Sequence, residues 1–107
     1  MYKGVCLVSC FDPHAVLSER LKDIRFATDN NIDIIQTFKM MYCSDGSPDE
    51  SYPIQVVHTL REYNHFKNKE KIQYILVSRS ILDELETNTA NDFLDELEGL
   101  GIAVKLM

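Results

Sequence analysis

A chain of 107 residues, 45% hydrophobic and 26% charged, is sized and composed as one soluble globular domain with enough core to fold on. The formal net charge of −6 argues against unaided nucleic-acid binding, since phosphate contacts need clustered Lys and Arg, and the one basic cluster (Lys67, Lys69, Lys71) is broken by Glu70 and reads as a solvated connection. No apolar run approaches the roughly 20 residues that cross a bilayer, Met1-Tyr2-Lys3-Gly4-Val5 opens no leader peptide, and Cys6, Cys10 and Cys43 have no zinc-type spacing, so reduced thiols and a cytoplasmic location are expected.

Val5-Cys6-Leu7-Val8-Ser9 reads as a short buried strand that delivers Ser9 to a loop. Asp12 then caps a helix with Pro13 at its first position. Val16, Leu17, Leu21, Ile24 and Ala27 share one helical face, and the helix ends near Asn30-Asn31. Ile32 to Phe38 is a second strand. Lys39 to Ser51 is irregular, with Asp45-Gly46-Ser47-Pro48 as a turn, and is longer than turning requires, which marks it for function. A helix is expected from about Tyr52 to Phe66 with Val56, Val57, Leu60 and Tyr63 inward. Ile72 to Val77 forms the third strand, and Ser80 to Glu86 adds a helical turn. Asn88 or Thr89 caps a last helix with Phe93, Leu94 and Leu97 inward and Asp92, Asp95, Glu96 and Glu98 outward; Gly99 or Gly101 ends it, and Ile102 to Leu106 is a final strand.

Strands separated by helices predict an α/β domain with a mostly parallel sheet of about four strands. Such sheets place ligand sites at the carboxyl ends of their strands. That edge carries Ser9 and Cys10, Lys39 to Ser47, and Ser78 to Ser80, so Asp45, Ser47 and Ser78 are candidate binding residues beside Ser9. Ser9, Asp12 and His14 lack hydrolase spacing, and no G-x-S-x-G elbow surrounds Ser9. Cys10 has no arginine-terminated phosphate loop after it; the next arginine is Arg20. His58, Glu62 and His65 share a helical face, but one helix alone makes an incomplete metal site, and a solvated face is the expectation. No glycine-rich nucleotide motif occurs, and neither a metal nor a cofactor is expected.

Order and local pattern together resemble the N-terminal catalytic domain of the serine recombinases, the resolvase/invertase family. In that family a first strand Y-x-R-V-S ends in the nucleophilic serine; here Val5-Cys6-Leu7-Val8-Ser9 stands in its place. Leu17, Arg20, Phe26, Ala27 and Asn30 fit the outline of the following helix. Asp45, Gly46, Ser47 and Pro53 echo the D-E-G-x-S-G loop and the proline after it. Ile72 to Ser78 matches I-D-x-I-x-V-K-S, and Asn88, Thr89, Leu94, Leu97, Gly101 and Ile102 match the closing helix and strand. The resemblance covers nearly the whole chain and implies a three-layer resolvase-like fold over residues 1–107 as a single domain; the separate DNA-binding domain of the family is not expected here.

The departures decide what the resemblance implies for function. Family members cleave DNA by serine attack on a phosphodiester, and arginines stabilise the charge that gathers on the phosphate oxygens. Here Leu7 stands at the first-strand arginine position, Tyr52 near the loop arginine position, and Leu82-Asp83-Glu84-Leu85-Glu86-Thr87 where an R-x-x-R pair belongs. Arg79 is the nearest arginine, out of clear register. Ser9 therefore reads as a vestigial nucleophile. The leading expectation is a non-catalytic, resolvase-like protein from a phage or other mobile element, a pseudoenzyme acting as regulator or decoy. It would bind another protein, a related recombinase or a host factor, through its last helix or the Lys39–Ser51 loop. The alternatives are active DNA strand cleavage by Ser9 with Arg79 and Arg20 or Arg25, and a sensor of a small anion or ligand at the strand exits.

Overall fold

The computed structural model describes residues 2–9, 24–66 and 70–106. Four strands form one sheet, β1 (Tyr2–Val8), β2 (Ile32–Lys39), β3 (Ile72–Val77) and β4 (Ala103–Leu106), in the order β2-β1-β3-β4, and every pair is parallel. Residues 24–29 are helical (α1), followed by α2 (Tyr52–Phe66), α3 (Arg79–Glu84) and α4 (Thr87–Gly99). The α/β class and the four-stranded parallel sheet flanked by helices are those expected, and the architecture is compatible with a three-layer resolvase-like fold.

Parallel strands covered on both faces read as continuous apolar runs, as Val5–Val8 of β1 and Tyr74–Val77 of β3 do. Val5 and Leu7 of β1, with Ile75 and Val77 of β3, point to one face and pack with Val56, Val57 and Leu60 of α2, Ile81 of α3, and Phe93 and Leu97 of α4. Cys6 and Val8, with Leu76, point to the other face and meet Ala27 and the half-buried Phe26 of α1. The period-2 alternation of a strand thus puts successive residues of Val5–Val8 into two separate cores.

Gly4 sits where the sheet is tightest. A Cβ there would lie 2.7 Å from Ile32 Cγ2 and 3.3 Å from the Tyr74 carbonyl oxygen. The pairing shifts register on both sides of this point: Ile35 is extra between the Gly4–Ile34 and Val5–Gln36 pairs, and Gln73 is extra between Lys3–Ile72 and Gly4–Tyr74. These bulges let β1 keep both neighbours while its apolar set stays in phase with the cores.

Most boundaries fall where the sequence puts them, but β1 opens at Tyr2 rather than Val5 and closes at Val8, before Ser9; four further readings are corrected. Ile24, expected inward, is 49% exposed, and Ala27 carries the buried face of α1. α4 starts at Thr87 with Glu86 as its cap rather than Asn88 or Thr89, because a carboxylate from another part of the chain, Glu50, accepts the Glu86 amide at 2.9 Å. Leu94 is half-buried and outside the core cluster, since Phe93 and Leu97, flanked by Ala90, fill the contact. Ile102 precedes β4: Gly101 (φ +76°) donates to the Glu98 carbonyl and Ile102 to that of Leu97, a Schellman ending whose C″ residue packs into the core. The expected cap at Asp12 and Pro13 and the inward positions Val16, Leu17 and Leu21 lie outside the described residues, as do Cys10, His14 and Arg20. Asn31, at φ 59°, closes α1 as the asparagine pair predicts.

Candidate functional site

In this sheet the chain leaves β1 toward β2 on one side and β3 toward β4 on the other, so the order reverses between β1 and β3. Crevices outside the carboxyl ends of strands at such a reversal are where parallel sheets hold ligands. Two candidate residues of the sequence fall on either side of it. Ser9 follows β1 directly and is half-buried; Ser78 follows β3, is buried, and donates its amide to the Leu7 carbonyl at 3.1 Å. The Ser78 hydroxyl makes no capping bond to α3, although its carbonyl accepts the Ile81 amide at 3.0 Å.

The third strand exit supplies the loop. Met40 is buried and donates its amide to the Val8 carbonyl at 2.8 Å, so the chain turns over the end of β1 as it leaves β2. Residues 41–49 then fold back on themselves: Asp49 donates its amide to Met41 at 2.9 Å, Cys43 to Ser47 at 2.7 Å, and Tyr42 and Pro48 form an antiparallel bridge. Gly46, at φ +86°, makes the tip, a conformation that side chains resist. The other two candidates, Asp45 and Ser47, meet at this tip and are exposed. The Ser47 hydroxyl (2.6 Å) and amide (3.0 Å) both donate to Asp45 Oδ1, which holds the carboxyl below the ordinary range. Ser51 repeats the arrangement on Asp49, at 2.7 and 3.0 Å, with the same effect. Asp45 and Ser47 satisfy each other; they are not drawn to Ser9.

What is drawn to Ser9 is Tyr42. Their hydroxyls are hydrogen-bonded, and Tyr42 Oη donates onward to Glu84 Oε2 at 3.1 Å. A phenol has one proton. With that proton on Glu84, the Ser9 hydroxyl must donate to Tyr42. The result is a Ser9–Tyr42–Glu84 chain joining β1, the loop and α3. Its terminal group is a carboxylate. A phosphate approaching Ser9 would have to part the two hydroxyls and then face Glu84, with Asp83 and Glu86 close by in sequence. Arg79 is exposed on the first turn of α3, and the guanidinium of Arg61 is committed elsewhere, to Glu96 at 2.8 Å across α2 and α4.

Tyr42 and Glu84 were not legible as a pair: they are 42 residues apart, and Ser9 and Tyr42 are 33 apart. The signal available is the one aromatic residue of the loop and the acidic segment after β3. The His58, Glu62 and His65 face is exposed; His58 Nδ1 lies 3.3 Å from Arg61 Nη1, and His65 packs edge-on against Phe66. Among the described residues no three metal-ligating side chains converge, and no helix is long and apolar enough to cross a membrane. No family model matches this chain, and neither a curated protein nor a solved structure matches it.

Proposed function

We propose that this is a non-catalytic, resolvase-like domain that acts by binding another protein, a related recombinase or a host factor, as a regulator or decoy carried by a mobile element. The observation that carries the reading is the state of Ser9: its hydroxyl is engaged by Tyr42, and Tyr42 by the Glu84 carboxylate, in the place where the recombinase chemistry needs guanidinium groups. Removing a single transition-state donor costs about 10²–10³ in rate; a carboxylate in that position adds repulsion. The net charge of −6 gives the domain no hold on DNA without a partner. The surface left for a protein partner is the outer face of α4, with Asp92, Asp95, Glu96 and Glu98 exposed, and the exposed tip of the 40–51 loop.

Two measurements test it. Incubated with supercoiled DNA, the protein should leave no covalent serine-linked adduct; an adduct that disappears in Ser9→Ala would overturn the proposal in favour of strand cleavage with Arg79. Titrated against a purified serine-recombinase catalytic domain, it should form a complex that weakens at least tenfold when Asp92, Asp95 and Glu98 are changed together to Lys. Because the tenfold loss is worth about 1.4 kcal/mol, a complex indifferent to those three changes would remove α4 as the contact.

A further inference from the structure

The 40–51 loop has more fastenings than a connection needs, and all of them attach it to the carboxyl edge of the sheet. Tyr42 reaches Ser9 and Glu84. Eight residues on, Glu50 Oε1 accepts the Glu86 amide at 2.9 Å and so holds the start of α4. Between these two points the loop is internally bonded, by the Tyr42–Pro48 bridge and the amides of Asp49 and Cys43, and is therefore a preformed body rather than a slack tether. Residues 43–47 are all exposed, and Tyr42 is the one side chain of residues 42–48 packed against the core. The two ends are Met40, buried and bonded to Val8, and the start of α2, where the Tyr52 amide donates to Asp49 at 3.1 Å.

We propose that residues 41–51 are a strap that moves as one body between the buried Met40 at the end of β2 and the start of α2, held shut by a Ser9–Tyr42–Glu84 latch and a Glu50–Glu86 latch that release together. Closed, the strap occupies the Ser9 hydroxyl at the carboxyl end of β1. Open, it frees Ser9 at the reversal of the sheet order, next to Ser78 and Glu84. The latches are hydrogen bonds in exposed or half-exposed positions, and the one core contact they carry is that of the half-buried Tyr42, so opening is a local event drawn from the low-stability end of the molecule and does not require the sheet to unfold. Each bond of this kind contributes modestly, so deleting one shifts the open population by roughly threefold to tenfold. The device needs no partner and stands whether or not the domain binds a recombinase.

Native-state amide exchange on the intact chain tests it, in Tyr42→Phe, Glu84→Ala and Ser9→Ala. The decisive amide is that of Glu86, which none of these substitutions touches. It should exchange roughly threefold to tenfold faster in all three variants, while the amides of Ile75 to Val77 keep their protection. An unchanged Glu86 amide would show that the two latches are independent and overturn the strap. Acceleration of Ile75–Val77 to the same extent would show general loosening and overturn it equally. Glu84→Ala removes the acceptor at an exposed helix position that alanine suits, so it reports even if Tyr42→Phe folds poorly.

Discussion

Gly4 shows how a single missing side chain can hold a sheet together. The Cβ of an alanine there would press on Ile32 Cγ2, a branch on a buried strand residue that has no room to swing, and on the Tyr74 backbone. Gly4→Ala should therefore cost about 1–3 kcal/mol by overpacking, read as a lower urea midpoint with unchanged slope. Gly99→Ala is the control: nothing lies within 4 Å of a Cβ there, and α4 ends on it. Its exchange for a better helix former should be neutral or stabilising by up to about 1 kcal/mol. The loop aspartates make a second residue-scale prediction. Hydrogen bonds from Ser47 and Ser51 lower the pKa of Asp45 and Asp49 in the folded protein. A carboxyl whose folded pKa is depressed lends stability above its unfolded pKa and loses it as pH falls through the folded one. The order of the loop should thus be constant at neutral pH and decline only as the solution is taken below about pH 4. Ser47→Ala should raise the Asp45 midpoint, followed by carboxyl NMR, and leave that of Asp49 in place.

At the scale of elements, what the sequence displays is what is local. α2 was expected from about Tyr52 to Phe66 and lies there, because Val56, Val57 and Leu60 recur at helical spacing and the Asp49–Ser51 turn sets its start. β3 is legible from the apolar stretch Tyr74–Val77, broken from Ile72 only by Gln73, as a strand covered on both faces should be. The start of α4 departs from its local signal because the preference of Thr and Asn for caps is overruled by Glu50, 36 residues away. The bulges at Ile35 and Gln73 had no local signal at all; they exist because β1 must satisfy two neighbours around Gly4. The join between α2 and β3 is another such non-local feature. Asn64, in the last turns of α2, accepts the Ile72 amide at 2.7 Å and donates to the Ile72 carbonyl at 3.2 Å, pinning the first residue of the strand. Asn64→Ala would leave both groups of a buried strand residue to find other partners, at about 1–3 kcal/mol. Early exchange of the Ile72 amide, ahead of Ile75 to Val77, would distinguish a lost clamp from a general loss of stability; simultaneous exchange would refute the clamp.

For the whole molecule, the question is whether the proposed loss of chemistry could be reversed by restoring an arginine, and the core answers it. If the domain descends from a recombinase, Leu7 occupies an arginine position of the first strand. Leu7 is 0% exposed and is packed on the face shared by α2, α3 and α4. An arginine there would place an unpaired charge in the larger of the two cores, a change among the few that cost more than 4 kcal/mol. The position of Ser9 was legible because a strand exit is a local fact. The company it keeps was not, since Tyr42 and Glu84 reach it only through the fold, and the sealing of Leu7 depends on three helices drawn from the later part of the chain. The remaining charges agree with this: Glu84 ends the chain from Ser9, and the net charge is −6. A molecule that had merely lost a side chain would tolerate its return, whereas one rebuilt around the loss would not. Leu7→Arg should accordingly abolish the cooperative thermal transition seen by circular dichroism, while Leu7→Met, which keeps volume and polarity, should lower stability by less than about 1.5 kcal/mol. A cooperatively folded Leu7→Arg protein would mean that the strand can turn this side chain out of the core, and would reopen Ser9 as a nucleophile with a guanidinium beside it.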